Sequence, residues 1–120
     1  MKEMLNQWFE QSAPFEGIVA CGLFFPDQSC AVKTWAEAFE ESLVENALRC
    51  VADGFQMLQA NRIASARVRW VYSNALLYCE RRADGCCLGV FTRRKVEEID
   101  LEGLERFFSE FQSLAQGAPL

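Results

Sequence analysis

The sequence predicts an α+β fold in the order α-β-β-α-β-β-β-α, and three observations carry the prediction. The hydrophobic period switches from helical to extended and back in that order along the chain. Two runs, residues 17–25 and 86–92, are apolar without alternation, as in strands buried on both faces. Between them, residues 37–59 form one long amphipathic segment whose apolar face is unusually broad. With 120 residues the chain suits one domain over residues 1–120.

The first helix is predicted over Lys2–Gln11. Met4, Leu5, Trp8 and Phe9 fall within an arc of roughly 140° on a helical wheel, with Glu3, Asn6, Gln7, Glu10 and Gln11 opposite. Pro14 ends it, because a proline pushes the preceding residue out of the helical region. The first strand, residues 17–25, runs into the turn chemistry of Pro26-Asp27-Gln28-Ser29. A shorter strand follows over residues 30–35.

The long helix, residues 37–59, would span some 34 Å at about 1.5 Å per residue. Phe39, Leu43, Val44, Ala47, Leu48, Cys50, Val51, Phe55, Met57 and Leu58 spread over roughly 180° of its wheel. A helix laid on one sheet needs an apolar stripe of only about 100° or somewhat more. The surplus predicts a second surface for this helix to bury against.

Three strands are expected next, over residues 66–72, 75–81 and 86–93. In the first, Val68, Trp70 and Tyr72 alternate with Arg67, Arg69 and Val71, which reads as a sheet edge. The Asp84-Gly85 pair signals a hairpin turn between the other two. Asp100 is a good N-cap for a closing helix, with Glu102 and Glu105 in a first turn where the dipole favours negative charge. Leu101, Leu104, Phe107, Phe108, Phe111, Leu114 and Ala115 share an arc of roughly 140°, and Gly117 and Pro119 close the helix.

Charge is segregated along the chain. Residues 1–60 carry 3 basic and 9 acidic groups, residues 61–95 carry 8 and 2, and residues 96–120 carry 1 and 6. The whole is acidic at a net −5, which disfavours nonspecific nucleic-acid binding. A basic sheet half between acidic helices fits complementarity within the molecule or across a dimer. A basic docking face for an acidic partner is the alternative.

Chemistry-bearing motifs are missing. The chain has no histidine, hence no catalytic triad and no histidine acid–base pair. It has neither a phosphate-binding loop signature nor a dinucleotide fingerprint. Six cysteines occur without any CxxC spacing, so no zinc site is expected, and no cofactor either. Cys21, Cys79 and Cys87 sit in apolar strands, where a reduced thiol packs as a small hydrophobe. Cys30 or Cys86 beside an arginine could serve as a nucleophile, but burial as a structural thiol is the favoured reading. The expectation is a reduced cytoplasmic protein with no signal peptide, no membrane span and no enzymatic activity.

The segments LNQWFEQ, GIVACGLFF, EESLVENALRCVADGFQML and LEGLERFFSEFQSL, in this order, resemble the Roadblock family of dynein light-chain type. The resemblance covers residues 2–115 and points to the bacterial stand-alone members, which act with small Ras-like GTPases. It implies a five-stranded, mostly antiparallel sheet of Roadblock/profilin-like type. The long helix would lie on one face and the two terminal helices on the other. It also implies a homodimer in which long helices pack together and third strands pair into one continuous sheet.

The wheel surplus and the edge-like third strand point independently the same way. The expected contacts are Val44, Leu48, Ala52 and Phe55 on the helix, with Arg67, Val68, Arg69 and Trp70 on a strand that pairs over residues 67–72. On this reading the protein is a non-enzymatic dimeric adaptor or regulator, with a small GTPase or another protein as partner. A PAS-like ligand-sensing module is the alternative. It would need a cavity of roughly 300 Å³ or more between sheet and helix.

Overall fold

A computed structural model describes residues 2–63 and 67–114. The elements are α1 (Lys2–Gln11), β1 (Ile18–Phe24), β2 (Cys30–Thr34), α2 (Glu41–Ala60), β3 (Arg67–Val71), β4 (Leu76–Arg81) and β5 (Cys87–Thr92). A 3-10 turn (Val96–Glu98) and α3 (Leu101–Ser113) complete the chain. The expected element order is therefore observed. The expected Ala66 at the start of the third strand, and Ala115, Gly117 and Pro119 at the end of the last helix, lie outside the described residues.

The sheet runs β2-β1-β5-β4-β3, with every neighbouring pair antiparallel. The two unalternating runs, β1 and β5, are its centre, and the arginine-bearing β3 is an edge. Strand alternation sends successive residues to opposite faces. Cys21, Leu23, Leu88, Val90, Leu76 and Tyr78 meet Leu5 and Phe9 of α1 and Leu104, Phe107, Phe108 and Phe111 of α3. On the other face Ala20, Phe24, Leu77, Cys79 and Phe91 meet Val44, Leu48, Val51 and Phe55 of α2. These are the layers implied by the resemblance: one long helix on one face, the terminal helices on the other.

The α2 layer is set by one contact. Gly22 and Gly89 are partners in the β1–β5 register, so the sheet centre has a notch two side chains wide. Leu48 fills it, with its two Cδ atoms 2.5 and 2.6 Å from where Cβ atoms on Gly22 and Gly89 would stand. That approach fixes both the height of the helix and its rotation about its own axis.

Helix α2 begins later than the wheel predicts. Residues 36–39 form a turn closed by the Phe39 amide donating to the Ala36 carbonyl. The Phe39 ring is buried against Phe91, with centroids 5.2 Å apart. Packing of that ring takes priority over extending the helix. Likewise β1 starts after Gly17, whose φ is +94° and whose Cβ would lie 2.7 Å from the Glu98 carbonyl oxygen.

Two cations finish helices on the terminal-helix face. Lys33 of β2 donates to the carbonyls of Phe9 (2.8 Å) and Ser12 (2.9 Å), closing the end of α1. Arg82 is fully buried, donates to the Phe111 carbonyl and, at 3.0 Å, to that of Leu114, and so caps α3. Unpaired carbonyls and the negative dipole end make a helix C-terminus a natural seat for a cation.

Candidate interaction surface

The helix residues expected to meet a partner are not at the surface. Val44 and Leu48 are 0% exposed and Phe55 4%, all packed against the chain's own sheet. Ala52 is half-buried on the flank turned away from β3. The wheel gave the breadth of the apolar arc, but it could not say which part faces the sheet. The notch at Gly22 and Gly89 decides that, by claiming Leu48.

The surplus lies instead on the opposite flank. Leu43, Ala47, Cys50, Gly54 and Met57 recur at spacings of four, three, four and three residues, a stripe along one side of α2. Leu43 is 46% exposed and Met57 68%. Three small residues lie between these two large ones, so a second helix could approach the middle of the stripe closely.

Strand β3 lies beside this flank. The Trp70 ring comes 3.7 Å from where a Cβ on Gly54 would be, and Val68 and Trp70 are half-buried against the α2 layer. Tyr72, on the same side of the strand as Trp70, continues the exposed apolar surface. At the other end of the stripe, Phe39, Leu43, Ala47, Tyr72 and Phe91 line an open groove of about 250 Å³. Stripe, groove and strand edge are therefore contiguous.

On the other side of β3, Arg67 and Arg69 point toward α3 and behave differently. Arg69 is exposed. Arg67 is half-buried; it donates to Glu80 at 2.7 Å, pairs with both carboxylate oxygens of Glu105 and stacks 4.6 Å over the Phe108 ring. The sequence places both on an edge strand and among the expected dimer contacts, without an intramolecular partner for either. The alternation was visible, but the facing carboxylates come from 13 and 38 residues away.

Five of the six thiols are held in their protonated form by burial. Burial pushes Cys21 and Cys86 up to about 12 and Cys87 up to about 11. Burial also raises Cys79, and Cys30 in lesser surroundings. Nucleophilic attack needs the thiolate, which these environments disfavour. Cys86 and Cys87 face opposite layers, as adjacent strand residues must. Among the described residues no three metal-ligating side chains cluster, and no helix is long and apolar enough to cross a membrane.

These features define an α+β fold of three helices on a five-stranded antiparallel sheet, with one apolar helix flank left open beside a free strand edge. Among solved structures, it is similar to the crystal structure of a Roadblock/LC7 domain from Streptomyces avermitilis, at a TM-score of 0.49 and 11% identity. The match covers 92% of this chain and 98% of that one. No protein-family model and no curated protein matches the sequence.

Proposed function

We propose that this protein is a non-enzymatic adaptor that works as a homodimer and presents a composite surface to a second protein. The observation that carries the reading is the continuity of the Leu43–Met57 stripe with the β3 edge. Monomeric proteins rarely leave a contiguous apolar surface open unless it is used. An open strand edge is normally blunted or paired. A second copy answers both at once, with helix flank against helix flank and β3 beside β3 over residues 67–71. Arg67, Val68, Arg69 and Trp70 then belong to the strand part of the interface. The sequence resemblance suggests a small Ras-like GTPase as the further partner, and six free thiols fit a reduced, cytoplasmic setting.

The ligand-sensor reading finds less support. The space between α2 and the sheet centre is taken by Leu48 against Gly22 and Gly89.

Sedimentation velocity across a concentration series tests the dimer. The expected result is a concentration-dependent species of twice the 13.7 kDa chain mass. Met57→Glu should reduce it to the monomer with an unchanged far-ultraviolet spectrum. A monomer at every concentration would sink the proposal. The partner class is tested by titrating a purified Ras-like GTPase from the same genome, loaded with GDP or a non-hydrolysable GTP analogue. No binding in either state removes the GTPase and leaves the dimer standing.

A further inference from the structure

We infer that Arg49 and Arg81 form a binding site for a small carboxylate with an apolar body, in a cleft at the hairpin end of the sheet. The cleft has a volume of about 290 Å³ and lies between the second half of α2, the β1–β2 loop and the β4–β5 turn. That size is near the lower end of the range for small-molecule sites. Arg49, Ala52 and Gln56 of the cleft occupy the flank of α2 opposite Leu43, Ala47 and Gly54. The cleft is therefore separate from the proposed dimer surface, and also from the sheet centre that Leu48 fills.

Arg81 carries the inference. It follows Cys79 by two residues on β4 and pairs in register with Cys87, so it projects on the α2 face just beyond the core. It is half-buried. The other two arginines drawn out of solvent among the described residues both find acceptors, Arg67 on Glu80 and Glu105, Arg82 on the ends of α3 and Asp84. The Arg81 side chain makes no hydrogen bond or ion pair among the described residues. A charge withdrawn from water without an acceptor is costly, and an oxyanion supplies the acceptor. Nη2 of Arg81 lies 3.8 Å from where a Cβ on Gly85 would stand, and Pro26 borders the same point at 3.1 Å. The guanidinium thus reaches over the turn, at the cleft wall.

Arg49 is held in place from the helix side. Its Nη1 donates to the Gln28 carbonyl at 3.2 Å, and its guanidinium stands 5.5 Å over the Phe24 ring. One N–H is spent on that carbonyl and the remaining donors are left for a ligand. Two planar forks from separate elements, fixed before binding, suit a planar carboxylate.

Charge and surface select the ligand class. Asp84 also lines the cleft, but its oxygens are taken by Arg82 Nε at 3.2 Å and the Cys86 amide at 3.1 Å. Asp53 is exposed and has no ion pair among the described residues. Arg49 and Arg81 set against Asp53 leave one positive charge in excess, which matches a monoanion better than a phosphate dianion. Phe24, Pro26, Ala52 and Cys87 supply an apolar wall for the rest of the molecule.

Titration of the full chain with sodium benzoate, read by proton–nitrogen NMR, tests the site. The expected result is saturable shifts confined to the amides around Gln28, Ala52 and Gly85. Acetate and inorganic phosphate should each bind more weakly than benzoate. Arg81→Met should weaken benzoate about tenfold or more, the loss of a charge-assisted pair. Arg81→Lys should recover only part of that loss, since it restores the charge without the fork. Asp53→Asn should tighten binding several-fold by removing the opposing charge. If Arg81→Met fails to fold, Arg49→Met and Asp53→Asn read the same cleft from the helix. No saturable shift with benzoate, or shifts that survive the arginine substitutions, would overturn the site. Phosphate binding more tightly than benzoate would overturn the carboxylate class, and acetate binding equally well would overturn the apolar body. The outcome does not depend on the homodimer, because the cleft lies on the other flank of α2.

Discussion

Arg67 and Glu80 face each other across β3 and β4, with Nε donating to Oε2 at 2.7 Å. The pair ties an otherwise marginal edge strand to the sheet interior, and Glu105 extends it to α3. Glu80 is 9% exposed, so removing only its cation strands a largely buried carboxylate. Arg67→Met should therefore cost about 3 kcal/mol in urea unfolding. Arg67→Met with Glu80→Gln should recover part of that loss. A double variant no more stable than the single would show that the arginine acts through its stacking on Phe108 instead.

The same network predicts a pH dependence. The hydrogen bond from Arg67 holds the Glu105 carboxyl below its ordinary value. A carboxyl whose folded pKa is depressed contributes stability above its unfolded pKa, about 4.3, and loses it as pH falls through the lower folded value. The contribution is small because Glu105 is largely exposed. Thermal midpoints between neutral pH and pH about 3 should fall less steeply in Glu105→Gln than in the native chain. Equal slopes would mean the exposed ion pair is screened to nothing.

Leu48 in its glycine notch is the second measurable constraint. Leu48→Ala should cost about 3 kcal/mol, through lost burial and the cavity left over the two glycines. Gly89→Ala brings a methyl to 2.6 Å from Leu48 Cδ2 and 3.4 Å from Leu77 Cδ1, and should cost about 2 kcal/mol by overpacking. Combining Gly89→Ala with Leu48→Ala should be milder than the sum, since each substitution relieves the other. Additive losses in denaturant unfolding would show that the glycine is needed for its backbone rather than for the notch. Leu48→Glu is expected to unfold the chain outright, so it cannot report on association.

What the sequence made legible is what local patterning encodes. Among the described residues, periodicity located the three α-helices and five strands, though not the 3-10 turn at Val96–Glu98, because burial on one face or both leaves a direct mark. Asp100 was legible as an N-cap, and its side chain accepts from the Gly103 amide at 3.0 Å. The rotation of α2 was not legible, because it depends on Gly22 and Gly89 meeting across two strands some 67 residues apart in sequence. The same holds for Arg82. In sequence it is one of two arginines leading into a hairpin turn, and only the arrival of α3 turns it into a buried cap. The interaction surface shared this fate: its breadth was a local property, its location a tertiary one.

Arg82 accordingly offers a sharp stability test away from the proposed interface. Among the described residues it is the largest fully buried side chain, and its guanidinium serves the Phe111 and Leu114 carbonyls and the Asp84 carboxylate. Arg82→Met keeps much of the bulk but leaves those acceptors without their cation, a loss of about 3 kcal/mol. Hydrogen exchange should rise first at the C-terminal turn of α3, with β1 and β5 protected until global unfolding. Uniform acceleration across the protein would show that the cap is not a local device.

The thiols can be read in a single titration. Cys50 is the exposed cysteine and Cys30 is half-buried, while Cys21, Cys79, Cys86 and Cys87 are buried. A disulfide reagent near pH 8 should label Cys50 fastest and Cys30 more slowly. The four buried thiols should react only at the rate of unfolding, since their thiolates are disfavoured and reagent cannot reach them. Leu48→Ala should accelerate those four together, by the factor its lost stability predicts, and leave Cys50 nearly unchanged in dilute solution. Raising the protein concentration should then slow Cys50 alone, because the proposed helix-flank interface covers that residue and no other cysteine. A Cys50 rate independent of concentration in a sample that sediments as a dimer would place the interface elsewhere on the molecule. Rapid labelling of Cys86 or Cys21 in the folded state would instead reopen the case for a reactive thiol.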